Sequence, residues 1–561
     1  MSELKFKDRA LTCMARGVAA ARRRFDPATG RFLEKDGGWA VTNQNVIYPL
    51  AAVCAAGSAG KAGGAAALRM AARGGDALAD WQNPDGSWEF IKVDGSRWGP
   101  FHMPWPLYYW IEAWALLGPR LGAARRRRWE LALRRGYAGV LELYRKGFHV
   151  HNIPAWHAMG LVRAGELLGE PKWVRAGTGF IREVVREMHP DGYWPEGGGP
   201  TTLYNGLYVH ALGLYHAFTG DRSVLPALAR ATAFHWLFTY PGGQPVETVD
   251  GRVQYHAHGA LWGLPGFCLF PEGRGLAGML LAGALGEGGQ GRLDPLLASA
   301  WQFAGEGPAE EPPQKRKAFV QVHPGGSRGG RALVRRLGPW YVCLSGYLTP
   351  KKERAGVAFN RWIMDRQQHV SVWHDRLGLV VGGGNSRGQP ERSTFAVWAG
   401  GACRHVADAA RVSPGGGRSA DAIELDYGKV RCRLAVRALD ARRLELRFSA
   451  RGARGTEAIA GLLLRPPAGA KLTTSRVKKP EALDPRRELG RSWPKDGRRG
   501  WLKAGALAVR VPAGAVLRWP QYPFNPYAID GTAPVEQAAA HLRMSLVTGG
   551  AGGRFMIEVR A

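Results

Sequence analysis

Four short stretches concentrate side chains able to move a proton or to steady an anion. The first is HPDGYWPEGGGPTTLYNGLYVHALGLYHAFTGD, from His189 to Asp221, in which Tyr204 follows a glycine-rich loop and Tyr208 and His210 follow Tyr204. A phenol titrates near about 10 when isolated, and a cationic cleft lowers that value, so Tyr204 is a feasible acid or base. Without a ligand, Tyr204 and Tyr208 also fit an aromatic stripe against a neighbouring helix. The second stretch, HVHNIPAWHAMGLVRAGELLG, runs from His149 to Gly169. Asn152 suits a helix N-cap with Pro154 in the first turn, and its amide together with helix-start N–H groups suits a carboxylate whose charge grows during reaction. His149, His151 and His157 have no Asp or Glu at matching spacing, so no cofactor is expected, and a structural or catalytic divalent metal stays open without being indicated. The third stretch is QYHAHG, with His256 and His258, and the fourth is RQQHVSVWHDRLG, with His369 and His374.

Carboxylates line a set of recurring turns: Asp85 with Glu89, Asp191 with Glu196, and Glu247 with Asp250. A glycoside hydrolase needs such a pair, but Asp in a Pro-Asp-Gly turn serves turn geometry, the role expected of Asp85 and Asp191. There is no concentrated Asp cluster of a cyclase, no P-loop, and no GxGxxG in a strand–helix setting, so nucleotide chemistry is unsupported.

The elements that must carry these residues change character along the chain. To about residue 304 the apolar residues recur at three- and four-residue spacing, as in 123–146, 156–168, 173–188 and 203–218. The turn phrases DPATGRF, NPDGSW, HPDGYW and TVDGR set Asp26, Asp85, Asp191 and Asp250 roughly 53 to 59 residues apart, once at twice that, a helical-hairpin period. About a dozen helices in five or six hairpins predict an (α/α) toroid over 1–304. The stretch 305–317, GEGPAEEPPQKRK, reads as a linker. Over 318–561 the period becomes two, in runs such as KVRCRLAVRAL, RRLELRF and RFMIEVRA cut by Gly, Asp and Pro, which predicts an antiparallel β-sandwich. The fold class is therefore multidomain α+β, an N-terminal toroid followed by a C-terminal sandwich.

The formal net charge of +31 attracts polyanions; a general preference for arginine is the alternative source of that charge. No zinc finger, basic tail or other nucleic-acid module accompanies the charge, so an acidic polysaccharide is the expected partner, with nucleic acid and membrane excluded. The 21 tryptophans suit stacking on sugar faces, although most are expected to fill the helical core. Trp88, Trp156, Trp194, Tyr208, His210 and His258 are the expected sugar contacts. The six cysteines form no CxxC pair and read as reduced thiols. The chain as written lacks a signal peptide and reads as cytoplasmic, or periplasmic or secreted if an upstream start hides one.

Together these features resemble the polysaccharide lyases of the heparinase II/III and alginate lyase type. HNIPAWHAMGL looks like the segment whose Asn neutralises a uronate carboxylate, which implies that role for Asn152 with His151 beside it. EGGGPTTLYNGLY places Tyr204 as the tyrosine that exchanges protons at the sugar ring, and QQHVSVWHDRLG makes His369 the match for a sandwich histidine reaching the cleft. His256 joins them as a further candidate for proton transfer. The sandwich segment lacks the dense His run that supports a zinc site in that family. The implied reaction is β-elimination on a uronate-containing glycan. A glycoside hydrolase on the same glycans and a non-catalytic polyanion-binding protein are the alternatives.

Overall fold

The computed structural model describes residues 6–91, 96–196, 199–250, 260–285, 291–311, 317–321, 330–349, 367–382, 389–399, 401–416, 419–452, 456–495, 499–525, 528, 530–550 and 552–560. The chain forms two compact units. One comprises Met1–Trp194, Leu203–Trp236 and Ala260–Pro312; the other comprises Pro195–Thr202, Leu237–Gly259 and Pro313–Ala561.

The first unit is built from α-helices: α1 (Phe6–Arg24), α2 (Ile47–Ala56), α3 (Gly60–Asp80), α4 (Pro104–Leu117), α5 (Ala123–Arg145), α6 (Asn152–Leu168), α7 (Pro171–Arg186), α8 (Thr202–Thr219), α9 (Leu225–Leu237), α10 (Leu264–Phe267), α11 (Pro271–Leu285) and α12 (Pro295–Phe303). The even-numbered helices form a closed inner ring. Helix α2 packs on α4, α4 on α6, α10 on α12, and α12 back on α2. Trp156 of α6 donates its indole N–H to the Leu207 carbonyl of α8 at 3.0 Å. Gly213 of α8 meets α10 so closely that a Cβ there would stand 2.2 Å from the Gly266 nitrogen. The odd-numbered helices α3, α5 and α7 pair with α2, α4 and α6 as hairpins. Helix α7 buries one stripe, Trp173, Gly177, Phe180, Ile181 and Val184, as an amphipathic outer helix should. In α4, by contrast, nearly every residue is buried.

The recurring turns have a common construction. Gly30, Gly86 and Gly192 adopt positive φ values of 75°, 88° and 92°, which favour glycine. A Cβ at each would strike a helix carbonyl, that of Arg73, Arg135 or Arg230 respectively, at 2.2, 2.5 and 2.3 Å. Each turn thus presses backbone against backbone. Two residues beyond the glycine, Trp88 and Trp194 reach back ten positions and donate their indole N–H to Leu78 and Val184 carbonyls. Asp85 binds the Ser87 amide and hydroxyl, the turn role expected of it.

One buried ion pair ties the ring together. Glu112 of α4, fully buried, receives two hydrogen bonds from the Arg163 guanidinium of α6, at 2.7 and 3.1 Å. Gln302 of α12 donates to the same carboxylate and accepts from the Tyr48 hydroxyl of α2. The guanidinium lies over Phe218 of α8, 4.5 Å from the ring centre.

The second unit contains two antiparallel sheets, of 11 and 9 strands among the described residues. Strand Val430–Asp440 shows the alternation read from the sequence: Cys432, Leu434 and Val436 are buried and Arg431 and Arg433 are exposed. Phe395 of one sheet packs edge-on against Phe448 of the other at 5.5 Å, inside a single apolar core. The toroid and sandwich expected from the sequence are both present. No helix among the described residues is long and apolar enough to cross a membrane.

Removing one partner of a buried pair leaves the other charge uncompensated, at about 3–5 kcal/mol. Arg163→Met should lower the denaturant-derived unfolding free energy by that amount, and Glu112→Gln combined with it should recover most of the loss. A loss below about 1 kcal/mol for the single variant would contradict this role.

Candidate active site

The inner helices run in parallel, and their N-termini gather at one end. Trp105 of α4 lies 6.4 Å from Trp156 of α6, and further along the same two helices Glu112 meets Arg163. Between α6 and α8, Trp156 meets Leu207 and His210, and Arg163 meets Phe218. Contacts that advance together along two helices mean parallel axes in fixed register. Carried one turn back, that register sets Asn152 level with Leu203 to Leu207. Tyr204, half-buried on the core, lies in the first turn of α8 as Asn152 lies in that of α6.

A cavity of about 420 Å³ opens at this end. Asn43 and Asn45 before α2, Trp105 in the first turn of α4, Trp262 before α10, and Asp294 at the cap of α12 all line it. The Asn45 side-chain oxygen and the Trp105 indole nitrogen are shielded from solvent with no partner among the described residues. Beneath, Trp156 stacks on His210 at 5.5 Å, and Trp262 meets both edge-on at 5.5 and 5.7 Å. Unpaired N–H groups and helix dipoles make such a ring of N-termini attractive to anions. Two carboxylates also line the cavity, and both are engaged. Glu34 pairs with Arg24 at 3.0 Å; Asp294 pairs with Arg292 and caps α12 through the Leu296 amide.

Helix α6 begins at Asn152 itself, with His151 as the flanking cap residue and no side-chain cap bond. This corrects the expectation of Asn152 as N-cap, by one position. Asn152 is 7% exposed, and His151 is half-buried beside exposed His149, ring centres 4.9 Å apart. The start of α8 is held differently: the buried Asp250 carboxylate accepts from both the amide and the hydroxyl of Thr202, at 2.8 and 2.9 Å.

Several expected sugar contacts are instead core residues. Trp88, Trp156 and Trp194 are fully buried, each indole N–H bonded to a helix carbonyl. Tyr208 is equally buried, stacked on Trp194 at 4.7 Å. His210 is buried as well; its Nδ1 accepts the Gly263 amide, and burial pushes its pKa down to about 3. These five are buried in the first unit and none is among the residues that line the cavity. His369 lies on a sandwich strand edge with no exposure, its Nδ1 donating to Ser345 O at 2.8 Å, and burial lowers it to about 4. His256 and His258 fall outside the described residues. Among the described residues no group of three or more His, Cys, Asp or Glu could hold a metal ion.

Sequence reading missed Asn43, Asn45, Trp105 and Trp262. Their common signal is position, each at or directly before the start of an apolar inner helix. It also missed Trp98, which is 54% exposed on the hairpin Trp88–Ile91/Arg97–Phe101. Phe101 of that hairpin touches His157 of α6, placing Trp98 on the same side of the toroid as Asn152.

The architecture is shared with solved polysaccharide lyases. Heparinase III superposes with a TM-score of 0.56 at 12% identity, over 98% of this chain and 84% of that one. Chondroitin AC lyase of Streptomyces coelicolor A3 also gives 0.56 at 12% identity, over 100% of this chain and 80% of its own. Neither a family model nor a curated protein matches the sequence. The likeness is one of fold.

Burial keeps three toroid histidines neutral: His157 is lowered to about 4, and His210 and His235 to about 3. Below the unfolded value of 6.5, the unfolded chain binds protons that these rings refuse. Their contribution is therefore complete above about pH 6.5 and is lost as the pH falls toward 4, at up to about 1.4 kcal/mol per pH unit for each ring. Denaturation midpoints measured between these limits should fall with pH, and His210→Gln should make the slope shallower. A flat profile would contradict buried neutral rings.

Proposed function

We propose that this chain is a polysaccharide lyase that cleaves uronate-containing glycans by β-elimination at the mouth of the toroid. The observation that supports the reading is that Asn152 and Tyr204 both fall in the first turn of inner helices, α6 and α8, that pack on one another. The shared fold supports it: one of the similar structures is a chondroitin AC lyase bound to chondroitin sulphate. The +31 charge favours encounter with an acidic chain.

In this reading the Asn152 amide and backbone N–H groups at the start of α6 donate to the uronate carboxylate. As the proton on the adjacent ring carbon leaves, negative charge moves onto that carboxylate, and donors already in place stabilise it. Tyr204, as phenolate, takes the proton. The electron pair forms the ring double bond and expels the glycosidic oxygen from the next carbon, and Tyr204 returns the proton to that oxygen. His151, flanking Asn152, is the second candidate for proton transfer. His369 receives no step, because its ring has no exposure. A hydrolase would need one carboxyl group free to act as acid, whereas Glu34 and Asp294 are each paired with arginine.

The test is incubation with a panel of acidic glycans while following near-UV absorbance from an unsaturated uronate. Tyr204→Phe and Asn152→Ala should each reduce turnover by about 100-fold or more with an unchanged melting temperature. Reducing ends without the absorbance would replace the reading with hydrolysis. Full activity in both variants would remove these residues from the site.

A further inference from the structure

A further cavity lies within the second unit. It measures about 660 Å³, within the range of ligand pockets. Its walls combine aromatic faces with buried polar groups. Trp373 stacks on Tyr240 at 5.5 Å and 14°, and Trp519 stands nearby with its indole N–H on Asp484 O at 3.0 Å. The Tyr240 hydroxyl donates to buried Glu247 at 3.0 Å. Arg465 donates to the backbone and side-chain oxygens of Gln537 at 2.9 and 3.4 Å.

Three polar atoms around this cavity are shielded from solvent and have no partner among the described residues: Trp373 Nε1, Arg465 Nε and Gln244 Oε1. Two are donors and one is an acceptor. Leaving such groups unpaired is costly, so a ligand that pairs them gains correspondingly. A carboxylate or sulfate accepts only and would leave Gln244 Oε1 unpaired; an ammonium donates only and would leave the other two. A hydroxyl does both. The charges agree, since Arg465 is countered by Glu247 and the exposed rim carries Glu536. In a chain of net charge +31, this pocket is close to neutral. Flat apolar faces beside hydroxyl-matching groups describe what a pyranose ring needs.

We propose that the pocket bounded by Trp373, Tyr240, Gln244 and Arg465 is a second glycan-binding site, and that it takes an uncharged saccharide. It is independent of the elimination reaction. It would hold a neutral stretch of a mixed glycan, or a neutral chain bearing the acidic one.

Titration calorimetry on the full chain with cellobiose, lactose, maltotriose and N,N′-diacetylchitobiose tests this, with a glucuronate-containing disaccharide and a proline-rich peptide as further probes. At least one neutral saccharide should saturate with a Kd of about 1 mM or tighter. Ala468→Trp, an exposed rim position, should weaken it at least tenfold without changing the melting temperature, and so should Trp373→Ala. Tyr204→Phe should bind as the parent does, even if the chain proves to have no lyase activity. The proposal is overturned if no neutral saccharide saturates, if the acidic disaccharide or the peptide binds more tightly than all of them, or if binding survives both pocket variants.

Discussion

The Glu112–Arg163 pair fixes the register on which the toroid mouth depends. Its carboxylate is fully buried and its guanidinium nearly so, and the contacts around it reach helices α2, α4, α6, α8 and α12. A buried ion pair adds little net stability over a hydrophobic replacement of the same shape. What it adds is a fixed arrangement of α4 and α6, because sliding either helix by a turn strands a charge in the core. Inner helices held at fixed height bring Asn45, Trp105, Asn152, Tyr204 and Trp262 to one end of the ring. A cluster of apolar residues alone would tolerate slippage; this bidentate contact does not.

The recurring turns supply the second constraint. Each turn glycine lies against a helix carbonyl, with a tryptophan two residues later clamped ten positions back in two of the repeats. The tryptophans that look most like sugar platforms in a linear reading are therefore the fasteners of the hairpins. The exposed aromatic side chains are elsewhere, such as Trp98 on the hairpin before α4. At α6 no side chain caps the helix start, and a helix N-terminus of that kind favours an anion. Where a carboxylate does cap one, at α8 and α12, that positive end is already taken.

Much of the fold was legible because local chemistry and global architecture agree. Period-3.6 patterning, turn glycines and the later change to period two each follow from backbone geometry, and the helices and strands appear where those patterns lie. The site was legible only in part. Asn152 and Tyr204 announce themselves as polar residues opening apolar helices, but their mutual level depends on helix register, which comes from contacts such as Glu112–Arg163 between residues 51 apart. The burial of Trp88, Trp156, Trp194, Tyr208 and His210 was hidden for the same reason: residue type does not reveal which face of a helix turns to the ring. The cavity beside Trp373 and Arg465 was invisible, since it joins segments more than two hundred residues apart.

The central claim is that an acidic glycan is broken at this mouth by elimination. The most direct measurement is mass spectrometry of the products after reaction in oxygen-18 water. Elimination takes no oxygen from water, so the fragments should carry none of the label, and their masses should sum to that of the substrate. Fragments that each retain saturated rings, with one labelled oxygen gained per cleavage, would contradict it.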